Sequence, residues 1–537
     1  MKSLTGTFAL LRSALRRDRI SHSVWVALLS LMSMATAKRY QELFSDERVR
    51  NRFIETMSAN RSFTAFGGGI NAPTIGGLVV VKIASTMFVI SALLAMFTVV
   101  RHTRAEEESG RHELTAATVV GRQASLTAAL LDAWLLSLAI GLGTTVALIG
   151  KHLEADGALA FGLAIAAPGF VFAAVGAVAA QLFTAARSAN ALAGSLLGAS
   201  VVVRMAADAS GHRWMRWLSP EGWSHNVLSF GANRVGVLVV PVLATAVLSA
   251  IAYALSARRD VGSGMFAAPA GPAESPTLRS PFALAWRLQR GMFAGWLFAS
   301  ILYSALVASI LPSIPAMAQT GGQAMTRMLA RYGTNGPPDV VAAYLWLATT
   351  MFSGVLALYP VLAVLRLRHE ERSGNAELVL SASVRRENWM LSHVTVALAG
   401  TFVMGIVNGL VTAALVRKLL PDSTSLSFAK VFAAQVIQVP AMWTLGGIAA
   451  LAFGLLPNAS IALGWGAFVL LNIFGTVLGP AMGMENEAAD KFVPFHYLPK
   501  ILTGEAMRLT PIVVLLAISG ALVASGVMAF KRRDLAY

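Results

Sequence analysis

The charged residues with the most regular spacing lie in residues 101–122, a stretch that separates two long apolar runs and occurs twice in the chain. The second copy spans residues 366–386. At an offset of 264 residues Ser109-Gly110 falls on Ser373-Gly374, and Arg104, Glu106, Glu107, Glu113, Leu114 and Arg122 fall on the identical residues Arg368, Glu370, Glu371, Glu377, Leu378 and Arg386. We interpret this match as an internal duplication. Arginines and carboxylates in this density suit recognition of a charged partner.

Motifs for bond-breaking chemistry are missing from the sequence. The phosphate-binding pattern GxxxxGK[ST] does not occur, since Gly150-Lys151 is followed by His152 and lacks the upstream glycine. Neither HExxH nor GxSxG is present, and the nine histidines are scattered without ligand spacing. The absence of cysteine rules out disulfides, iron–sulfur clusters and thiolate-bound zinc. We therefore expect no catalytic residue, metal or cofactor in this chain.

The composition is that of a polytopic membrane protein. The chain has 537 residues, of which 56% are hydrophobic and 13% are charged, whereas soluble domains are about 25% charged. The net charge of +16 comes from basic residues that flank apolar runs, which favours contact with anionic lipid headgroups over nucleic acid. We therefore expect an all-α membrane protein, with membrane lipids and no nucleic acid as partners.

Apolar runs of about 20 residues predict about twelve membrane-spanning helices in two halves of six. Residues 2–19 predict a basic amphipathic helix at the membrane surface. The first half is predicted to comprise residues 1–260, followed by a linker at 261–281 that is rich in Gly, Pro and Ser, and a second half at 282–537. The predicted spans are residues 20–37, 76–100, 123–149, 158–184, 188–206 and 236–256, then 292–314, 341–365, 389–416, 430–456, 459–482 and 511–530.

Each half ends on the same tripeptide, Arg258-Arg259-Asp260 in the first and Arg532-Arg533-Asp534 in the second. Six spans return each half to its starting side, so the repeat is predicted to be parallel, with both termini and both charged loops in the cytoplasm. Residues 38–74 are then an outer polar loop with a turn at Gly67–Gly69. Residues 207–235, which contain three tryptophans, predict short helices or a re-entrant turn at the outer interface.

Few charged residues fall inside the predicted spans. Asp132 lies about ten residues into the third span, roughly 15 Å along it, and Lys82 lies near the outer end of the second span. Because their depths differ, we do not expect them to form an ion pair. We expect Lys82 to reach the headgroups and Asp132 to cap a neighbouring helix or face water; an essential intramembrane carboxylate would instead indicate an ion-coupled transporter.

The acidic residues of the duplicated loops need a further explanation. A loop that only orients the chain in the membrane needs arginines, and carboxylates contribute little to topology. The retained glutamates therefore predict two acidic helical surfaces displayed to the cytoplasm for two equivalent partner subunits. The exchange of Glu108 for Arg372 indicates that the two surfaces differ.

The chain resembles the fused permeases of actinobacterial ATP-binding-cassette exporters of drugs and polyketide antibiotics. The resemblance is carried by the segments EEESGRHEL and EERSGNAEL, the plan of six plus six spans, the basic amphipathic start and the repeated RRD. The resemblance implies that each charged loop is a coupling helix in a groove of a separate ATP-binding subunit, present in two copies and holding ATP and Mg²⁺. The coupling residues it implies are Glu106, Glu107, Ser109, Gly110 and Glu113, with Glu370, Glu371, Ser373, Gly374 and Glu377.

The resemblance implies export of hydrophobic or amphipathic compounds, because the spans offer apolar side chains and almost no fixed charge. Candidates for the substrate pathway are Phe88, Met96, Met351, Phe352 and Trp443. Three alternatives remain open at this point: an exporter of lipid or cell-envelope precursors, an ion-coupled secondary drug transporter that uses Asp132, and a membrane scaffold for an ATPase. The scaffold is disfavoured because it does not need two duplicated halves.

Overall fold

The computed structural model describes residues 2–58, 64, 67–110, 119–260, 263–266, 275, 277–315, 339–421, 426–472 and 493–535. The chain forms two compact units, Met1–Gly271 and Pro272–Tyr537, and the division falls inside the predicted linker at 261–281. Apart from one isolated bridge between Phe183 and Phe266, the regular structure in these ranges is helical. Among the described residues, eleven helices are long and apolar enough to cross a membrane. The predicted all-α membrane class is confirmed.

The described part of the first unit contains six membrane-length helices and three shorter α-helices. In chain order they are α1 (Thr7–Leu43), α2 (Glu47–Ser58), α3 (Ile75–His102), α4 (Arg104–Glu108), α5 (Ala124–Ile149), α6 (Ala155–Leu182), α7 (Ala186–Ser210), α8 (Pro220–His225) and α9 (Val239–Arg258).

The second unit repeats this order, with two of its spans broken into consecutive helices. They are α10 (Pro281–Ile310), α11 (Val340–Leu356), α12 (Leu358–Arg372), α13 (Asn375–Leu380), α14 (Arg386–Leu419), α15 (Phe428–Val436), α16 (Val439–Leu455), α17 (Ser460–Phe468) and α18 (Leu509–Arg532). The span predicted at residues 459–482 begins as α17, and its part from residue 473 onward lies outside the described residues.

The two units share the same internal packing. In each, the first span packs against the third, the second against the fourth, and the fourth against the sixth. The fourth span is the most buried in both, with 78% of its apolar window inside the unit. Small residues let neighbouring spans pack closely, as between the third and fourth spans of the first unit. A Cβ added to Gly162 of α6 would lie 2.5 Å from the carbonyl oxygen of Gly141 in α5. The duplication seen in the sequence is therefore also a duplication of packing.

The N-terminal region differs from the prediction. Residues 2–19 were expected to form a separate surface helix, but most of this stretch belongs to α1, which runs unbroken from Thr7 to Leu43. The range contains no Gly or Pro, so nothing in it interrupts the backbone hydrogen bonds. The apolar face of the predicted amphipathic helix includes Phe8 and Leu11. In the structure Leu11 is buried whereas Phe8 is 81% exposed.

Two segments that were predicted to lie at the outer interface, residues 38–74 and 207–235, contain helices in the structure. Residues 38–74 contain the end of α1 and all of α2, and the predicted glycine turn is present, with positive φ at Gly68 and Gly69. Residues 207–235 form short helices, including α8 and the 3₁₀ turn Arg213–Leu218. That expectation is confirmed.

A buried ionic network holds α8 to the end of α7. Arg204 pairs with Asp208 at 3.3 Å and with Glu221 at 3.4 Å, and Arg216 also pairs with Asp208. Burial raises the pKa of Glu221, but His225 and Arg204 outweigh the burial and leave that pKa below its ordinary value. The carboxylate therefore stays ionised in the apolar surroundings of the short helices.

Candidate functional site

Within each charged loop the repeated Ser-Gly pair ends a helix. Gly110 and Gly374 have φ values of 73° and 75°, a conformation that favours glycine. The amide of Gly110 donates to the carbonyl oxygen of Glu107, and the amide of Gly374 donates to that of Glu371, both at 3.1 Å. The hydroxyls of Ser109 and Ser373 donate to the carbonyl three residues earlier, both at 3.2 Å. The duplicated dipeptide therefore sets the same turn twice.

The loop of the first unit is fastened to the end of the last span by a cluster that we call the first clasp: Arg104, Glu107, Arg122 and Arg259. Both carboxylate oxygens of Glu107 accept from Arg259, at 2.5 and 2.8 Å, and Arg104 donates to the same carboxylate at 2.6 Å. Arg104 also donates through Nε to the carbonyl of Thr184, just beyond α6, at 2.8 Å. The clasp thus joins the loop to the ends of the fourth and sixth spans.

The second clasp, Arg368, Glu371, Arg386 and Arg533, repeats this arrangement. Arg533 donates to the two oxygens of Glu371 at 2.6 and 3.0 Å, and Arg368 donates at 3.3 Å. Arg368 reaches Asn458 at 2.7 Å, and Asn458 follows α16 as Thr184 follows α6. Bidentate arginine–carboxylate pairs of this kind are among the stronger and more directional hydrogen bonds in proteins.

The last arginine of each loop binds the C-terminal end of the same span. Arg122 donates to the carbonyl of Arg259 at 2.7 Å, and Arg386 donates to the carbonyl of Arg533 at 2.6 Å. The final carbonyls of a helix have no partner within it and carry partial negative charge, so an arginine there is favourable. Both ends of each charged loop are therefore attached to one residue of the repeated RRD.

The expectation that the acidic residues are displayed to solvent is wrong for three of them. The side chains of Glu107, Glu370 and Glu371 are only 8%, 9% and 1% exposed. The reason is contact with arginines. Glu107 and Glu371 each accept from two guanidinium groups, Glu370 accepts from Arg366, and these charge-assisted hydrogen bonds replace those to water. Glu106 is 25% exposed and pairs with Arg17 of α1 at 2.5 Å.

The short helix α13 carries exposed residues of the second loop. Glu377 is exposed on this helix and Leu378 is 74% exposed, and Ser373, which precedes the helix, is also exposed. The corresponding Glu113 and Leu114 lie outside the described residues. The duplicated leucine did not enter the predicted site, although its repetition inside a charged loop was a usable signal.

The two loops also differ. In the first, Glu108 accepts from the amide of Ala186 at 3.1 Å and so caps the start of α7. In the second, Arg372 stands at this position and is exposed. Glu370 instead accepts from Arg366 and Asn375, both at 3.1 Å. The predicted inequivalence of the two surfaces thus has a structural basis.

The five residues proposed for the substrate pathway lie in different environments. Phe88 and Met96 are buried inside the first unit, and Phe88 packs against the rings of Phe161 and His225. Phe352 stacks on Tyr303 with ring centroids 3.8 Å apart. Met351 is 51% exposed, and the indole of Trp443 donates to the carbonyl of Leu398 at 3.1 Å. Their role in transport, like the coupling role of the loops, stays a prediction.

The chain resembles known efflux proteins. A family model described as the C-terminal domain of the multidrug efflux system permease Rv1217c matches residues 278–531, which lie within the second unit. Over its full length the chain is similar to the multidrug efflux system permease protein Rv1217c of Mycobacterium tuberculosis (strain ATCC 25618 / H37Rv). The two are 37% identical over 99% of this chain and 95% of the relative.

Proposed function

The chain belongs to the family of multidrug efflux system permeases that includes Rv1217c, and from this premise we propose that it is the membrane subunit of an ATP-driven drug exporter in the bacterial cell membrane. The cargo is a hydrophobic or amphipathic compound. Energy comes from a separate cytoplasmic subunit that binds ATP and Mg²⁺. Two copies of that subunit bind the permease, one on each charged loop.

The observation that carries this proposal is the pair of matching clasps. In each unit a buried glutamate, Glu107 or Glu371, fastens the loop to the ends of the fourth and sixth spans. A force on the loop therefore moves those span ends with it instead of bending a free connection. A loop that only joined two helices would not need the same ion pairs in both halves.

The docking surface is the exposed face of α13 with Glu377 and Leu378, together with Ser373 in the turn before it. An apolar side chain that is 74% exposed beside a carboxylate suits a groove with an apolar floor and a basic rim. Burying one leucine contributes about 1.5–3 kcal/mol, and an adjacent charge adds orientation more than affinity. By the duplication, Glu113 and Leu114 serve the first loop.

These assignments divide the loop residues into two groups with different roles. Glu377 and Leu378 contact the ATP-binding subunit, whereas Glu371 and Arg533 transmit the movement. The coupling role implied for Glu371 is thus retained, but as a buried link within the permease. Ser373 and Gly374 shape the turn that presents α13.

Co-purification with the ATP-binding subunit tests this division. Glu377→Lys with Leu378→Asp is expected to abolish binding through the second loop and leave the thermal stability of the permease unchanged. The matched control is Leu218→Asp, a change of another exposed leucine (65%) that lies between α7 and α8 of the first unit and outside both charged loops, which should leave binding intact. Undiminished binding by the loop variant would contradict the docking assignment.

A transport measurement separates the proposal from an ion-coupled mechanism. Purified permease in liposomes should not move a drug unless the ATP-binding subunit and ATP are present. Transport by the permease alone along a proton gradient would instead support the secondary-transporter alternative. ATP-dependent movement of lipid precursors but not of drugs would support the same mechanism with a lipid precursor as the cargo.

A further inference from the structure

Three potential metal ligands from two helices converge in the first unit, near the loop at residues 101–122. They are Asp18 and His22 on α1 and Asp132 on α5, each offering one ligand atom within 4.8 Å of the others. We propose that these three side chains bind one divalent transition-metal ion of the Zn²⁺ class. Nothing in the proposed transport mechanism uses this ion, and the site is independent of the clasps.

Asp132 provides the independent observation that points to a ligand. Its side chain is fully buried, and neither carboxylate oxygen has a hydrogen-bond partner. The expectation that this residue caps a helix or faces water is therefore wrong. Two imidazole nitrogens lie near it, His102 Nε2 at 3.4 Å from Oδ2 and His22 Nδ1 at 3.8 Å from Oδ1. A buried carboxylate without hydrogen bonds is strongly disfavoured in its ionised form, so it either takes up a proton or binds a cation. We infer a cation because Asp18 and His22 supply two further ligand atoms beside it.

The spacing of the ligand atoms suits a single ion. With metal–ligand bonds of about 2.0–2.2 Å, the ligand atoms of a tetrahedral site lie roughly 3.3–3.5 Å apart. The His22–Asp132 separation of 3.8 Å is close to this value, and all three ligand atoms lie within 4.8 Å of one another, so binding requires the side chains to draw together by no more than about 1.5 Å. His22 Nε2 also has no hydrogen-bond partner, which leaves either ring nitrogen available.

Neighbouring residues fix the orientation of Asp18. Its Oδ2 accepts from Arg101 and from His102 Nε2, both at 2.5 Å. Arg17 contacts the other ring nitrogen of His102, and because arginine only donates, that nitrogen is the acceptor and the proton of His102 lies on Nε2. His102 is therefore a positioning residue that holds a ligand, as outer groups commonly do in metal sites.

Charge and chemistry select the kind of ion. The two carboxylates offset the charge of one divalent cation, and Arg101, which is paired with Asp18, gives the occupied cluster a net positive charge that opposes a second ion. An imidazole in the set favours Zn²⁺ and its neighbours over Mg²⁺ or Ca²⁺, which prefer oxygen ligands alone. A cavity of about 110 Å³ lies beside His22 and is lined also by Ser21, Thr98 and Arg101. It offers an entry path and room for a water as the fourth ligand.

The ion would act on the first half alone. At the duplicated offset of 264 residues, Asp132 corresponds to Val396 and His102 to Arg366, so the second half lacks these side chains. Binding would fasten α1 to α5, and Arg17 connects the site to Glu106 of the charged loop. We therefore expect one ion per chain and a stabilised first unit.

The test uses the full-length permease without a polyhistidine tag, stripped with a chelator and then equilibrated with Zn²⁺ or Co²⁺. The wild type should retain one equivalent of metal after desalting, show a cobalt absorption spectrum of low coordination number, and unfold at a higher temperature with metal than without. Asp132→Asn and His22→Ala should lose all three effects. His102→Ala, which removes only a supporting residue, should weaken affinity about 10–100-fold.

Two matched controls make the result decisive. Asp156→Asn and His369→Ala carry the same substitutions at exposed positions and should bind metal as the wild type does. Wild-type protein that retains no metal would overturn the proposal, as would Asp132→Asn and His22→Ala variants that bind like the controls. Preference for Mg²⁺ over Zn²⁺ would overturn the ligand assignment. If Asp132→Asn does not fold, His22→Ala decides alone.

Discussion

Replacing the buried glutamate of the second clasp should destabilise the second unit far more than replacing an exposed glutamate of the same loop. In Glu371→Gln the shape of the side chain is kept and its charge is removed. Arg533 then loses the two charged oxygens it contacts at 2.6 and 3.0 Å, and Arg368 loses one at 3.3 Å. Two guanidinium groups are left beside a neutral amide at a site where the original side chain is 1% exposed.

Removing one partner of a buried ion pair typically costs 3–5 kcal/mol, and we expect about 3 kcal/mol here. The lower value applies because Arg533 is 15% exposed and keeps its contacts with the rings of Phe453 and Phe530, each 5.0 Å away. For a unit of this size the loss corresponds to a fall of roughly 6–12 °C in Tm. The matched change Glu377→Gln lies on the exposed face of α13 and should stay within about 0.5 kcal/mol of the wild type.

Thermal unfolding of the purified permease, followed by tryptophan fluorescence, measures both effects. Trp389 is a suitable reporter because it is buried and lies 5.6 Å from the ring of Phe530, next to the clasp. A double-mutant cycle with Arg533→Gln should give a coupling energy well above zero, since the two side chains are in direct contact. Equal melting temperatures for Glu371→Gln and Glu377→Gln would refute the clasp as a stabilising contact.

Two further predictions concern backbone geometry in the second unit, and each is checked by the same melting assay. Gly374→Ala should cost about 1–2 kcal/mol, because φ is +75° although the surroundings are open, whereas Gly466→Ala in a helix with open space should be neutral or stabilising. Gly454→Ala should cost about 1–3 kcal/mol, since the new Cβ would lie 2.1 Å from the carbonyl oxygen of Gly526. The Cβ introduced by Gly520→Ala would meet nothing within 4 Å, so this control should not lower the melting temperature. Equal losses of stability for a variant and its control would contradict these backbone contacts.

Much of the fold follows from the sequence because hydropathy and duplication are local or regular signals. Runs of apolar residues placed the spans, and identity at fixed offsets picked out the residues that build both clasps, including Arg104, Glu107 and Arg259. Burial of Glu107 did not follow, since its partner Arg259 lies 152 residues away in the chain. A glutamate in a charged loop gives the same local pattern whether it faces water or an arginine.

The convergence of Asp18, His22 and Asp132 did not follow from the sequence for a similar reason. Asp132 was compared with Lys82, the other charge inside a predicted span, while Asp18 and His22 were assigned to a surface helix and to the start of the first span. Because α1 is continuous, it carries both residues to the side of α5. A single unbroken helix was predictable from the lack of Gly and Pro, but its rotation about its axis was not.

Site-specific cross-linking from α13 tests the central claim most directly, and the chain is well suited to it because it contains no cysteine. In Leu378→Cys the introduced thiol is unique and can carry a photoreactive label. After illumination of the complex, the account predicts a covalent product of the permease with its ATP-binding subunit, and no such product from Leu218→Cys. A product from position 218 but not from position 378, in a complex that is otherwise intact, would contradict the assignment of the charged loops as the docking site.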